Sequence, residues 1–207
     1  MNNADVTIYT DGSSLGNPGP GGWAAVLFWG AVRKEISKGY VETTNNRMEI
    51  RGVLHALSLL TRPCRVAVHS DSRYVCDTLS KGWLASWIKN GWKTAAKKPV
   101  KNQDLWERLI PLLARHQVEM HWVKAHDGHP ENERCDTLAK QAALGPNRSV
   151  DTGYVSGVDY VVVVQPGSRI TNACCGRQKK LTAPTPRYSK RTTQQAPIAQ
   201  VDRAPDS

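Results

Sequence analysis

Apolar positions change their period along this chain, and the change marks the elements. Up to residue 40 they form short β-rich runs; from residue 48 they recur with helical spacing. Val6–Thr10 is the first run, ending at Asp11, and Gly12–Gly22, dense in Gly and Pro, predicts a loop. Trp23–Trp29 and Val32–Tyr40 predict two strands of a hairpin or meander turning near Gly30. Met48, Ile50, Val53, Leu54, Leu57 and Leu60 then share one helix face, with Thr43 and Thr44 offering N-cap hydroxyls and Pro63 ending the helix.

Arg65–His69 predicts the next strand, followed directly by Asp71, and Ser70 or Ser72 can cap a helix through Tyr74, Val75 and Leu79. A Trp- and Lys-rich stretch runs from Lys81 to Lys101. Leu105, Leu109, Leu112 and Leu113 mark another helix with Asp104 near its start; Glu119–Val123 is a strand, His126–Pro130 a loop and Glu131–Ala143 a last helix. The order β-β-β-α-β-α-α-β-α predicts an α/β fold. Its later β-α-β units need parallel pairing and its opening strands do not, so the sheet is mixed, with helices on its faces. Strand C-terminal ends gather ligand chemistry in such sheets.

Composition divides the chain. All seven Trp, the one Phe and all six His precede residue 155. Beyond it, after one apolar run at Val161–Val164, scattered Pro, Arg, Gln, Thr and Ser offer nothing to build a core. The expected organisation is a catalytic domain over 1–154 and a basic, disordered C-terminal extension over 155–207. The net charge of +10 splits evenly, because 155–207 carry eight Lys/Arg and three Asp/Glu. A basic shell around an acidic centre suits a polyanion such as nucleic acid, although charge alone fits a merely soluble basic protein as well. The five cysteines show no paired spacing, and no signal peptide or membrane-length apolar run is present. A cytoplasmic, disulfide-free monomer with no membrane association is expected.

Four carboxylates stand in distinctive settings: Asp11 in Ile-Tyr-Thr-Asp-Gly-Ser, Glu49 in Thr-Thr-Asn-Asn-Arg-Met-Glu, Asp71 in His-Ser-Asp-Ser, and Asp136 in Glu-Asn-Glu-Arg-Cys-Asp. Singly, a turn or N-cap accounts for Asp11 and Asp71, and a solvated helix face for Glu49 and Asp136. Jointly they predict a hard-cation site, because converging carboxylates repel one another unless a divalent ion such as Mg²⁺ neutralises them.

Five motifs in order carry a family resemblance. They are Thr-Asp-Gly-Ser-x-x-Gly-Asn-Pro-Gly-Pro-Gly-Gly (10–22), Thr-Thr-Asn-Asn-Arg-Met-Glu (43–49), Ser-Asp-Ser-x-Tyr-Val (70–75), Gly-Trp-Lys-Thr…Lys-Lys-Pro-Val-Lys-Asn (91–102) and Trp-Val-Lys-x-His-x-Gly-His-Pro-Glu-Asn-Glu-Arg-Cys-Asp (122–136). From about residue 5 to Tyr154 the chain resembles the bacterial type 1 ribonucleases H. That resemblance implies the ribonuclease H-like fold, a five-stranded mixed β-sheet flanked by α-helices. It also implies an endonuclease that cuts the RNA strand of RNA–DNA hybrids, with two Mg²⁺ ions (Mn²⁺ as a substitute), leaving 5′-phosphate and 3′-hydroxyl ends. In that family pattern Asp11 bridges the ions, Asp71 holds the attacking-side ion, and Glu49 and Asp136 hold the leaving-side ion. His126, in the loop before the last helix, would pass a proton to the leaving oxygen or help product depart; an exposed loop His is the plain alternative. His129, ahead of Pro130, reads as structural.

Telling RNA from DNA means reading the 2′-hydroxyl. Gly12, Ser14, Asn17, Asn45, Arg73 and Glu49 suit a shallow minor groove, and Arg73 stands where relatives commonly have Gln, so that polar contact is expected to become a charged one to phosphate. Thr44 and Asn102 match the family's pocket for a DNA phosphate, though Glu42 stands where some members have Arg. Ala125 and Asp127 flank His126 and also depart from the usual pattern; the Asp is expected to raise the His126 pKa. Between residues 81 and 101, Lys89, Lys93, Lys97 and Lys98 with Trp83 and Trp92 fit the family's basic protrusion as a hybrid-binding handle, or else an amphipathic helix with its Trp packed inside. Two other classes compete: a catalytically silent hybrid-binding module, against which all four carboxylates argue, and a transposase- or integrase-like DNA nuclease, which lacks the Asn-Asn-Arg-Met-Glu helix start. No Gly-Lys-Ser/Thr follows Gly16–Gly22, so a tight turn is a better reading there than a phosphate loop.

Overall fold

Strand β2 (Gly19–Trp29) is apolar on both faces because both are covered, and the architecture follows from that. Ala25 and Leu27 point into the main core with Ile50, Val53 and Leu57 of α1 (Asn45–Ser58), while Ala24 and Val26 meet Cys135 and Ala139 of α5 (Pro130–Leu144). Alternation along a central strand therefore distributes side chains between two helical layers. The computed structural model describes residues 4–125 and 127–154.

The sheet order is β5-β4-β1-β2-β3-β6. β1 (Val6–Ser14), β2 and β3 (Val32–Thr43) form an antiparallel meander, with Trp29 opposite Val32 across the turn at Gly30, as the sequence predicts. β4 (Arg65–Ser70) lies parallel to β1, and β5 (Gln117–Trp122) parallel to β4. Between these two strands come α2 (Arg73–Ser80), α3 (Trp83–Lys89) and α4 (Gln103–Arg115). The predicted mixed sheet flanked by helices is present. Among the described residues no helix is long and apolar enough to cross a membrane, and Cys64, Cys76 and Cys135 are free.

Four details depart from the sequence expectation. The sheet has six strands, since Arg148–Ser149 (β6) pairs in parallel with Gly39 and Tyr40 at the β3 edge. Two residues leave no periodicity to read. The Gly12–Gly22 loop shrinks to residues 15–18: Ser13 pairs with Gly22 and Ser14 with Gly21, so Asp11 lies inside β1 and not at its end. Glycine is needed there because a Cβ on Gly22 would stand 2.3 Å from the Ala139 carbonyl oxygen of α5. Within the Trp- and Lys-rich stretch, residues 83–89 form a separate short helix, α3. Thr44 occupies the N-cap of α1, but its carbonyl and not its hydroxyl receives the first helical N–H groups, whereas the Ser72 hydroxyl does accept the Val75 N–H.

Candidate active site

Gly12 brings the site together. A Cβ on it would lie 2.2 Å from the Glu49 nitrogen, so only glycine lets β1 run against the backbone of α1. Asp11 and Glu49 become neighbours through that contact. Asp71 enters from the turn after β4, the strand parallel to β1. Carboxylate oxygens of Asp11, Glu49 and Asp71 all lie within 4.8 Å of one another, Asp11 and Glu49 buried and Asp71 half-buried. They line an open cleft of about 440 Å³ together with Asn45, Arg73, Asn132 and Asp136.

The hydrogen bonds around these acids are sparse. Gly12 N–H donates to Asp11 Oδ1 at 2.7 Å, and Asn45 Nδ2 sits 3.5 Å from Glu49 Oε1, leaving the buried Glu49 Oε2 without a partner. Burial, and then the Asp71 and Asp136 charges, push the Asp11 carboxyl up to about 8. Glu49 is raised well above its ordinary value by burial and by Asp11 and Asp71. Three carboxylates so placed cannot all stay ionised without a cation. All-oxygen donors, one of them buried and unpartnered, fit a hard divalent ion. Asp136 lines the same cleft outside the tight triplet, with Oδ2 accepting from Lys140 Nζ at 2.8 Å.

The other predicted residues spread outward from this centre. Gly12 and Asn45 line the cleft, Ser14 is half-buried at the end of β1, and exposed Asn17 accepts the Asn45 N–H through Oδ1 at 3.2 Å. Thr44 and Asn102 are the N-caps of α1 and α4, and neither side chain caps its own helix. Lys89, Lys93, Lys97 and Lys98 are all exposed, the last three on a tight loop closed by the Lys93–Pro99 bridge and the Thr94 N–H to Lys98 carbonyl bond. Trp83 is 41 % exposed, whereas Trp92 is half-buried and packs on the core, as does Trp87. His126 lies outside the described residues, and so does the extension 155–207. Asp127 is ion-paired to Lys124 at 3.1 Å. His129 is the N-cap of α5, its carbonyl accepting the Asn132 and Glu133 N–H groups, in line with a structural role.

Three supporting groups escape a reading of the sequence. Asn132, buried on α5, donates through Nδ2 to Asp71 Oδ2 at 3.2 Å. The Trp122 indole N–H donates to the Asp71 carbonyl at 3.0 Å. Arg47, in the first turn of α1, is buried between Asp104 of α4 and Asp151, which also takes Arg51 and the Thr43 hydroxyl. All lie inside recognisable motifs, but spacing alone gives them no role; the one available signal is the i,i+4 repeat of Arg47 and Arg51 within a helix whose other residues from Ile50 to Leu57 are mostly apolar.

A mixed sheet with an acidic cleft beside its central strand is a nuclease-type architecture, and comparison with known proteins specifies which. The RNase H family model matches residues 3–144, and the chain belongs to the ribonuclease H family, a family of hydrolytic enzymes. It is 57% identical over 156 residues to Ribonuclease H of Nitratidesulfovibrio vulgaris (strain DP4), spanning 75% of this chain and 100% of that protein. To Ribonuclease HI of Vibrio parahaemolyticus it is 56% identical over 149 residues, 72% of this chain and 96% of that one. Among solved structures it resembles LC9-RNase H1, a type 1 RNase H with the type 2 active-site motif, at 34% identity and a TM-score of 0.62, covering 73% of this chain and 77% of that one.

Proposed function

We propose that this chain is a hybrid-specific endoribonuclease, hydrolysing the RNA strand of RNA–DNA duplexes to 5′-phosphate and 3′-hydroxyl ends. The observation that carries the reading is the crowding of Asp11, Glu49 and Asp71 within 4.8 Å around an unpartnered buried oxygen, in a chain of this family. Asp11, Glu49, Asp71 and Asp136 would hold two Mg²⁺ ions. Bound there, the ions would supply a water activated for attack and neutralise charge on the scissile phosphate. The protein's own part is to fix the donors: Gly12 sets the Asp11–Glu49 approach, and Asn132 orients Asp71. Lys140 balances Asp136, and His126 would manage the proton of the leaving oxygen.

Substrate recognition follows from the surroundings of the cleft. Gly12, Ser14, Asn17 and Asn45 would read the minor groove and its 2′-hydroxyls, with Arg73 beside them at the edge of the cleft. Thr44 and Asn102 leave their polar groups free at two helix N-termini, a setting suited to a DNA phosphate. The arginine bond from Arg47 to Asp104 ties those two helix starts together. Exposed Lys89, Lys93, Lys97 and Lys98, with Trp83, form the handle for the duplex backbone, and Trp92 braces it from below. Residues 1–154 are the catalytic domain in this reading and 155–207 an accessory extension.

Incubation with Mg²⁺ and end-labelled RNA–DNA hybrid, double-stranded RNA and double-stranded DNA tests the reading. Only the hybrid is cut, only in its RNA strand, and the products can be ligated directly at their 5′ ends. Cleavage of double-stranded DNA, or an intact hybrid with both Mg²⁺ and Mn²⁺, overturns it.

A further inference from the structure

The β4–β5 ladder does not stop where its backbone pairing stops. Ser70 faces Trp122 in register, and the Val123 N–H reaches the Ser70 carbonyl at 3.0 Å. The first carbonyl beyond β4, that of Asp71, is taken by a side chain: the Trp122 indole N–H, also at 3.0 Å. The main-chain carbonyl of Asp71, whose side chain lines the cleft, is thus held by a rigid ring anchored in β5. On the face of the same ring lies Arg73, its guanidinium carbon 3.4 Å from the ring centroid. This is the shortest of the cation–π contacts among the described residues; the others range from 4.4 to 5.8 Å. Arg73 is exposed and lines the cleft, with its guanidinium over Trp122 and not against a carboxylate.

An arginine in this position differs from a free surface lysine or a glutamine. The ring removes much of its rotamer freedom without neutralising it, so little entropy is lost when its N–H groups meet an anion. A guanidinium presents paired donors that match two phosphate oxygens.

We propose that Arg73, stacked on Trp122, is a preorganised subsite for a backbone phosphodiester of the bound nucleic acid beside the scissile position, and that Trp122 is the positioning residue for both Arg73 and Asp71. The inference rests on the hybrid reading for the identity of the strand. It adds a charged contact next to the carboxylates and one residue with two separable tasks: the indole N–H fixes Asp71, and the indole face fixes Arg73.

The tasks separate by substitution. Binding of a fluorescent RNA–DNA hybrid is measured by anisotropy across a KCl series without divalent cation, and steady-state cleavage is measured with Mg²⁺, for wild type, Arg73→Gln, Trp122→Phe, Trp122→Leu and the Arg73→Gln/Trp122→Leu double variant. Arg73→Gln lowers the slope of log affinity against log salt by about one and raises KM by a larger factor than it lowers kcat. Trp122→Phe keeps a ring under the guanidinium but loses the donor to Asp71, so kcat falls several-fold while the salt slope stays. Trp122→Leu lowers both, and in the Arg73→Gln background it no longer moves the slope. A wild-type slope in Arg73→Gln overturns the subsite, and a wild-type kcat in Trp122→Phe overturns the link to Asp71. Circular dichroism melting identifies a variant that has not folded; should Trp122→Leu be one, the other two single variants still decide. If wild type binds hybrid but cuts nothing, the activity reading fails while the Arg73 comparison still gives its answer.

Discussion

Asp151, seven residues beyond the last helix, is buried against Arg47, two residues before Glu49 on α1: Arg47 Nε and Nη2 each donate to its carboxylate at 2.8 Å. Arg51 Nη2 and the Thr43 hydroxyl complete its shell at 2.5 and 2.7 Å. The closing segment of the folded domain is therefore fastened to the helix that carries a cleft carboxylate. Burial pushes the Asp151 carboxyl up, but the hydrogen bonds from Arg47 and Thr43 and the Arg51 charge outweigh it and hold the group at about 2. A carboxyl lower in the folded than in the unfolded chain stabilises the fold above its unfolded pKa. Here that contribution, on the order of 2 kcal/mol, is complete above about pH 4 and disappears as pH falls from there toward 2. Asp151→Ala leaves two arginines buried with too few acceptors and lowers unfolding free energy by about 3–5 kcal/mol at neutral pH. Urea denaturation at pH 7 and pH 3 checks both points. A loss below about 1 kcal/mol at pH 7, or an equal loss at both pH values, contradicts the account.

Asp11 behaves in the opposite sense. Raised to about 8 by burial and its acidic neighbours, it costs the metal-free fold stability as pH climbs from about 4 to 8. Asp11→Asn keeps the shape, removes one of the crowded charges and raises metal-free stability by on the order of 1–3 kcal/mol at pH 8, while turnover is lost. Added Mg²⁺ raises the melting temperature of wild type much more than that of the variant. Calorimetry with and without Mg²⁺ is the measurement, and an Asp11→Asn protein less stable than metal-free wild type would be the contrary result.

Asn132 is a third lever. Its Nδ2 is the side-chain donor to the Asp71 carboxylate among the described residues, and its site on α5 is buried. Asn132→Ala leaves Asp71 free to turn and reduces Mg²⁺ affinity or turnover by about 10–100-fold, as losses of groups that orient metal ligands do. Titrating activity against Mg²⁺ separates the two; an unchanged curve removes Asn132 from the site.

These cases show how far the sequence carries. The longer strands and helices are legible because each is a periodic segment, and Asp11, Glu49 and Asp71, which converge, stand out because each lies in a multi-residue motif. Asp11 was expected at a strand end and lies within β1, since glycines that pair across a sheet look the same in sequence as glycines in a loop. β6 was invisible because two residues carry no period. Asn132, Trp122 and Asp151 have partners 61, 51 and 104 positions away, and no local pattern announces a contact closed only by tertiary packing. Trp92 read as part of an aromatic-basic surface, but its ring packs on the core, because interleaving with lysine does not tell which face of the chain turns inward.

The handle offers the prediction with the cleanest separation from chemistry. Lys93, Lys97 and Lys98 are exposed on a loop held by its own backbone, with Lys97 in the left-handed region at φ 59° and the Val100 N–H bonded to the Trp92 carbonyl. The loop conformation does not depend on the lysine side chains, so replacing all three by Ala leaves it folded. What changes is the number of phosphates neutralised: KM for the hybrid rises, and the slope of log affinity against log salt falls by roughly two to three. kcat holds, because no handle residue lines the carboxylate cleft. Steady-state kinetics at several KCl concentrations decide it. A triple variant with wild-type KM and wild-type salt dependence would show that these lysines are only a solvated surface, and that the duplex is gripped elsewhere.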